Sequence, residues 1–140
     1  MKTAQIIALA LPAGLLWGSA AAACPASFPA FLSQFESDPA FQRQHTRFPL
    51  AASRIDNQSG DEPFEVKYTI QDAKRKEYQR VAWPTRARQQ AAGLQRSIAR
   101  EAGGGQAVTF SQPGTDYMFT FHFQKTRDCW TLVRFADHSL

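Results

Sequence analysis

The 140-residue sequence has no long apolar run, no internal repeat and no glycine-rich phosphate-binding loop. A membrane-spanning helix needs about 18 or more consecutive apolar residues, so a membrane-spanning protein is not predicted. Without a glycine-rich phosphate-binding loop, an enzyme that binds nucleotides through such a loop is not predicted either. Only two cysteines and three histidines are present, without C-x-x-C or H-E-x-x-H spacing, so no metal site and no cofactor are predicted. No complete set of catalytic side chains is visible.

Aromatic residues are abundant: they make up 12% of the chain, and 11 of them are phenylalanines. Intrinsically disordered chains lack the apolar surface that offsets the entropy lost on folding, so this composition excludes that class. A chain of this length is sufficient for one compact domain but too short for two ordinary ones.

Residues 1–23 have the three parts of a secretory signal peptide. Lys2 supplies the charged start, residues 6–17 are mostly apolar, and residues 18–23 are small. Export and cleavage require these features in this order. The sequence therefore predicts cleavage just before Cys24, leaving residues 24–140 as a single domain that is periplasmic or secreted. A buried N-terminal helix is the alternative.

Cys24 and Cys129 both lie in the exported part. An even number of cysteines in a small exported domain predicts a disulfide, which here closes a loop of about 105 residues and ties the N-terminus to the last strand. The alternative is a lipoprotein, because Ala22-Ala23-Cys24 resembles an acylation site. Ala21 stands where such sites usually have leucine, and acylation would leave Cys129 unpaired, so the disulfide is favoured.

Helical spacing is clear at the start of the exported part. A core helix is predicted by apolar residues at i, i+3, i+4 and i+7, namely Phe28, Phe31, Leu32 and Phe35. Asp38 followed by Pro39 predicts the start of a second short helix that reaches about His45. The segment 48–50 is extended, because a residue before proline avoids helical geometry.

The middle of the chain predicts a hairpin and a long helix. Alternating apolar residues between Phe64 and Ile70 indicate a half-buried strand, and residues 78–83 are predicted to be its hairpin partner. Pro84 and Thr85 open the longest helix, which ends at glycines 103–105. Its apolar stripe is Ala87, Ala91, Leu94, Ile98 and Ala102.

Three more strands are predicted at about residues 106–111, 116–124 and 129–135. In the second of them one face carries Tyr117, Phe119, Phe121 and Phe123, which helices must cover. The order of elements predicts an α+β domain with a curved, mainly antiparallel sheet wrapped around the N-terminal helices and one long helix.

Motifs at both ends resemble a known fold family. These are Phe28-x-x-Phe31-x-x-x-Phe35-x-x-Asp38-x-x-Phe41-Gln42 with Phe48-Pro49-Leu50, and Phe121-x-Phe123-x-Lys125 with Cys129-Trp130-x-Leu132. The chain resembles the NTF2-like (cystatin-like α+β) superfamily and, more narrowly, an exported bacterial family termed domain of unknown function 4348. The resemblance implies a cone-shaped NTF2-like domain and an exported location. It implies no activity, because this fold hosts enzymes and binding modules alike.

Enzymes of the NTF2-like fold place an acid or base inside the cone, where burial shifts its pKa. The resemblance therefore makes Tyr78, Trp83 and His122 candidates for a pocket, with Asp116 and Asp137 as further titratable groups. For His122, a solvent-facing or hydrogen-bonded strand histidine is the favoured interpretation, because no second catalytic side chain occurs at a spacing from it that is typical of an active site.

Basic residues are concentrated between Lys67 and Arg100, where nine of them stand against two acidic residues. This excess predicts a surface that attracts anions. The candidate partner-binding residues are Lys74, Arg75, Lys76, Arg80, Arg86 and Arg88. Export and the lack of interleaved aromatic residues argue against nucleic acid, so the predicted partner is a protein with an acidic surface. A solvated surface without a partner is the alternative.

Two hypotheses of function follow. The first is a non-catalytic periplasmic binding protein that contacts a protein partner, for example an inhibitor or immunity protein that occludes an effector. The second is a small-ligand carrier or an enzyme that uses the interior of an NTF2-like cone.

Overall fold

The computed structural model describes residues 23–140, so the predicted signal peptide lies outside the described residues except for its last residue. The helices are α1 (Phe28–Ser37), α2 (Pro39–Gln44), α3 (Lys76–Arg80) and α4 (Arg86–Ala91). The strands are β1 (Thr46–Asp56), β2 (Phe64–Ile70), β3 (Gln95–Arg100), β4 (Gln106–Ser111), β5 (Met118–Thr126) and β6 (Cys129–Asp137). None of the described helices combines the length and the apolar character that crossing a membrane requires.

The six strands form one sheet in the order β2-β1-β6-β5-β4-β3. Neighbouring strands are antiparallel except β1 and β6, which are parallel. The register shifts within the β1–β6 pair, between Thr46 and Ala51, and within the β5–β6 pair, between His122 and Phe123. Because extra residues in a strand bend it and increase its twist, these irregularities curve the sheet. The predicted α+β class and mainly antiparallel sheet are confirmed.

Helix α1 provides the centre of the core. The hydroxyl of Ser27 accepts a hydrogen bond from the Ala30 N–H and caps the helix, and the predicted apolar face is buried. The rings of Phe31 and Phe35 lie 5.8 and 5.2 Å from the ring of Phe123 on β5. Burial of each phenylalanine contributes about 1.5–3 kcal/mol, so these contacts fix α1 on one face of the sheet. That face is called the inner face below.

The predicted disulfide is present between Cys24 and Cys129, which are 105 residues apart. It joins the segment before α1 to the first residue of β6. The bond therefore holds the segment that precedes α1 against the sheet. In this structure the sulfur of Cys24 is bonded to that of Cys129. This bond agrees with the disulfide hypothesis and not with acylation of Cys24.

The prediction of one long helix over residues 84–102 was wrong. The segment forms the short helix α4 and then the edge strand β3. Gly93 has a φ of +61° and ends α4, with hydrogen bonds from the N–H of Leu94 to the carbonyl of Gln89 and from the N–H of Gly93 to that of Gln90. This is the usual glycine-terminated helix end. The apolar spacing continued past Gly93 by coincidence, because every residue of β3 is exposed.

The predicted strand at residues 78–83 was also wrong, since residues Lys76–Arg80 form α3. The hairpin partner of β2 is instead β1, which the sequence analysis did not predict as a strand. Strand β1 lacks clean alternation because Ala52 and Ser53, which point to opposite faces, are both buried. Pro49 falls inside the β1–β6 register shift, where proline is tolerated in a strand.

Candidate functional site

A cleft of about 460 Å³ opens on the inner face, at the end of the sheet that contains β2 and β1 and beside α3. It is lined by Arg54, Val66, Tyr68, Glu77, Arg80, Val81, Phe135 and Asp137. Strand alternation places the lining residues of β2, Val66 and Tyr68, on the same face as the buried Ile70.

The cleft has an apolar floor and a charged rim. Phe135 and Val81 are buried, and Val66 is half-buried. The rim carries the guanidinium groups of Arg54, from β1, and Arg80, from α3, and neither forms an ion pair within 4.0 Å among the described residues. Pockets of this type hold an apolar body in the floor and orient a polar group at the rim.

Tyr68 contributes a phenol to the cleft. Burial raises the pKa of Tyr68 above its ordinary value of 10.0, and the negative charge of Asp137 raises it further, while the charges of Arg54 and Arg80 lower it. The phenol is therefore protonated at neutral pH and can donate a hydrogen bond to a ligand oxygen.

Two carboxylates also line the cleft. The Asp137 Oδ1 accepts a hydrogen bond from the Ser139 backbone N–H at 3.0 Å, whereas Glu77 is exposed at the start of α3. A small adjoining cavity of about 30 Å³ shares Arg80, Phe135 and Asp137 with the cleft and adds Arg88. Across the two cavities three guanidinium groups stand against two carboxylates, so the electrostatic balance favours an anion.

Of the three predicted pocket residues, the structure places none in this cleft. Trp83 is buried in the core, with its ring 4.7 Å from that of Phe121 and 5.5 Å from that of Phe35. Tyr78 is half-buried against Phe48, at a ring distance of 5.5 Å, and burial raises the pKa of its phenol. Both side chains pack against other aromatic rings instead of lining the cleft.

His122 lies on the outer face of the sheet. Its Nδ1 is 2.8 Å from the Glu101 Oε1, and its Nε2 is 2.9 Å from Nη2 of Arg134. This geometry agrees with the hypothesis that His122 is a hydrogen-bonded histidine on a strand. Asp116 is exposed before β5, whereas Asp137 does line the cleft.

The six predicted partner-binding residues divide into three groups. Arg80 lines the cleft and Arg88 the adjoining cavity. Arg75 lies 3.7 Å from Asp72, and Arg86 lies 3.6 Å from Glu36, whose side chain is 5% exposed. Lys74 and Lys76 are exposed without ion pairs among the described residues. Their role in binding a protein partner stays a prediction.

Glu36 also explains how α4 and β3 are held. Its carboxylate accepts a hydrogen bond from Gln89 Nε2 at 2.6 Å and lies 3.4 Å from the Arg96 guanidinium. One buried acid on α1 therefore neutralises basic residues from both parts of the segment that was predicted to be a single helix. The basic excess read from the sequence is in part internal.

Of the eight residues that line the cleft, only Arg80 and Asp137 were candidates from the sequence, and the six that were missed include Arg54 and Tyr68. Tyr68 belongs to the strand that alternation predicted, and its position on the apolar face was the available signal. Arg54 lies on β1, which was not predicted, and no local pattern indicates which side of the sheet it faces. Among residues 23–140, no group of three or more His, Cys, Asp or Glu side chains could hold a metal ion.

Comparison with known proteins supports the fold. No protein-family model matches the chain, and no curated protein is similar to it in sequence. Among solved structures, the fold is similar to that of an NTF2-like protein from Bacteroides fragilis, with a TM-score of 0.55 and 18% sequence identity. The similarity covers 81% of this chain and 47% of that protein, so the chain spans about half its length. At this identity the likeness shows the NTF2-like fold alone.

Proposed function

We propose that this protein is a non-catalytic, exported binding protein that holds a small organic anion with an apolar body in the cleft beside α3. The observation that carries the proposal is the apolar floor of the cleft combined with two guanidinium groups, Arg54 and Arg80, that form no ion pair with any residue of the described part, 23–140. The signal-peptide pattern and the disulfide support the exported location.

The cleft residues bind different parts of the proposed ligand. Guanidinium groups bind carboxylates and sulfonates through paired, charge-assisted hydrogen bonds, and here they approach from the sheet and from α3. The protonated phenol of Tyr68 donates a further hydrogen bond. Burial of the ligand's apolar part against Val66 and Phe135 contributes about 25 cal/mol per Å² removed from water.

The direction of the Tyr68 pKa supports binding rather than proton transfer. A general acid or base works best when its pKa lies near the working pH. Burial moves the pKa of Tyr68 further above neutrality instead. The phenol is thereby suited to donate a stable hydrogen bond to a bound oxygen.

The test uses a fluorescent anion, 8-anilinonaphthalene-1-sulfonate, and its uncharged analogue N-phenyl-1-naphthylamine. We expect the sulfonate to bind the folded protein more tightly than the analogue. Replacement Arg54→Gln or Arg80→Gln removes one charged donor and is expected to weaken sulfonate binding about threefold to tenfold. Binding of the uncharged analogue should not change, because it uses only the apolar floor.

Arg75→Gln is the matched control, since Arg75 is exposed, is close to α3 and does not line the cleft. It should leave both affinities within about twofold of the wild-type values. Equal weakening by Arg75→Gln and Arg80→Gln, or equal binding of the charged and uncharged probes, would contradict the proposal.

The hypothesis of an inhibitor or immunity protein with an acidic protein partner stays a separate prediction. It concerns the surface around Lys74 and Lys76, which is outside the cleft. Charge reversal at these two lysines would weaken binding of such a partner without changing the affinity for the fluorescent anion.

A further inference from the structure

Strand β3 is an edge strand whose outer side is open. It pairs with β4, and no other strand among the described residues pairs with it. All six of its residues are exposed. An open edge presents unpaired backbone N–H and C=O groups, which can accept another strand.

The register identifies which backbone groups are unpaired. The Glu101 N–H donates to the Gly105 carbonyl at 2.9 Å, just beyond the paired residues of β3 and β4. In an antiparallel pair, hydrogen-bonded positions alternate along the strand. The backbone groups of Ala99 therefore point toward β4, and those of Arg96, Ile98 and Arg100 point to the open edge.

A groove of about 490 Å³ lies next to this edge, between β3 and the start of α1. Its apolar part includes Pro29, Trp130 and Ile98, and Ile98 is 46% exposed. Such an exposed isoleucine is unusual in a protein whose other apolar β-strand residues are mostly buried. A strand added to β3 would place alternate side chains over this groove, because side chains on a strand point to opposite faces in turn.

The charges around the groove are basic. Arg100 and Lys125 line it, and the Lys125 ammonium lies 5.4 Å from the centre of the Trp130 ring. The one acidic residue among those that line it is Glu101, whose carboxylate is already hydrogen-bonded to His122. An occupant with acidic side chains would therefore match the groove.

We propose that the open edge of β3 binds an extended acidic segment of a protein partner as a seventh strand. Backbone hydrogen bonds to Arg96, Ile98 and Arg100 supply the pairing. Every second side chain of the segment faces the groove: an apolar one contacts Ile98 and Pro29, and acidic ones on either side of it contact Arg100 and Lys125. This is the strand-addition mode of peptide recognition, in which the backbone supplies affinity and the grooves supply specificity.

A second copy of this chain fits the edge poorly. Antiparallel pairing of two β3 strands centred on Ile98 would place Arg96 of each copy directly opposite Arg100 of the other. Like charges directly opposite each other across a strand pair are destabilising. The edge is also separate from the anion-binding cleft, because β2 and β3 are at opposite ends of the sheet.

The first experiment measures fluorescence anisotropy of labelled synthetic peptides of about eight residues, a length that matches a typical strand. Both peptides have threonine at alternate positions, which face away from the groove. At the groove-facing positions the first peptide has valine flanked by aspartates, and the second has valine flanked by lysines. We expect the acidic peptide to bind and the basic peptide not to bind. Equal binding of both, or no binding of the acidic peptide at protein concentrations up to about 1 mM, would overturn the proposal.

The second experiment separates the groove from general charge. The double variant Arg100→Gln/Lys125→Gln should weaken binding of the acidic peptide about tenfold. The matched control Arg43→Gln/Lys67→Gln also removes one arginine and one lysine, both exposed and outside the groove, and we expect less than about a twofold change. Equal weakening by both double variants would show that the peptide is attracted only by net charge, and it would overturn the proposal that the groove binds it.

The third experiment tests strand pairing itself. Amide hydrogen exchange should slow at Arg96, Ile98 and Arg100 when the acidic peptide is bound, because their N–H groups become hydrogen-bonded. A peptide with the same charges but alternate backbone amides methylated cannot complete the ladder, and it should bind at least about fivefold more weakly. Unchanged exchange at these three residues, or equal binding of the methylated peptide, would overturn strand addition.

Discussion

His122 shows how a single side chain can couple the outer face of the sheet to pH. A guanidinium can only donate hydrogen bonds, so the contact with Arg134 requires His122 Nε2 to accept. Arg134 Nη2 is 2.9 Å from Nε2 and 3.3 Å from Nδ1, so we assign the proton to Nδ1, which donates to Glu101. Burial is the largest cause that lowers the pKa of His122 below its ordinary value of 6.5, and the charges of Arg134 and His138 lower it further, although Glu101 opposes them.

A pH dependence of stability follows from that direction. Between the lowered pKa of folded His122 and about 6.5, the unfolded chain binds more protons than the folded chain, so the free energy of unfolding rises with pH. We expect the wild-type protein to lose stability as the pH falls from about 7 to about 5. Urea denaturation at a series of pH values measures this slope.

The variant His122→Asn separates this contribution from the rest of the protein. Asparagine can keep a donor toward Glu101 but does not titrate, so its stability should fall less steeply over the same pH range. Identical slopes for the variant and the wild-type protein would show that His122 does not contribute.

At the scale of elements, Gly93 decides that residues 86–100 form a helix and a strand. Its φ of +61° is strained for residues with a side chain, while a Cβ built there meets no atom within 4 Å. Gly93→Ala should therefore lower the free energy of unfolding by about 1 kcal/mol through backbone strain alone. In one continuous helix the same change would instead stabilise by about 1 kcal/mol.

Gly60 offers the matched control for this prediction. It also has no atom within 4 Å of a built Cβ, but its φ is not in the left-handed region. Gly60→Ala should leave stability unchanged or raise it by up to about 1 kcal/mol. Thermal or urea denaturation of both variants gives the comparison, and a neutral Gly93→Ala would contradict the observed helix end.

For the whole molecule, the Cys24–Cys129 disulfide constrains most of the chain in the unfolded state. The double variant Cys24→Ser/Cys129→Ser should lose about 2–4 kcal/mol of stability, because the unfolded chain regains the entropy of a long loop. Urea denaturation measures the loss. The intact mass of the wild-type protein should rise by two hydrogens on reduction, whereas a mass that includes a lipid would instead support acylation of Cys24.

Local patterns predicted the elements whose burial is one-sided. Helix α1 and strands β2, β4, β5 and β6 each present one apolar face to the same core, so a period of 3.6 or 2 is visible in their sequences. Phe121 and Phe123, for example, alternate with exposed or polar neighbours and are buried as expected. Cys24 and Cys129 were paired correctly because only one pairing of two cysteines exists.

The same reasoning failed where burial does not alternate. In β1, Ala52 and Ser53 are both buried, and in β3 every residue is exposed, so neither strand has a period to detect. The spacing of Ala91, Leu94 and Ile98 predicted a helix because it was read without the helix stop at Gly93.

The sequence by itself determined the α+β class, the core helix, the closing strands and the disulfide, because each depends on periodicity or on a count of residues. Only the tertiary structure decided the cleft, since Arg54, Tyr68, Arg80 and Asp137 come from four different elements. Their proximity depends on the order of strands in the sheet. That order is a long-range property, and no local pattern in the chain specifies it.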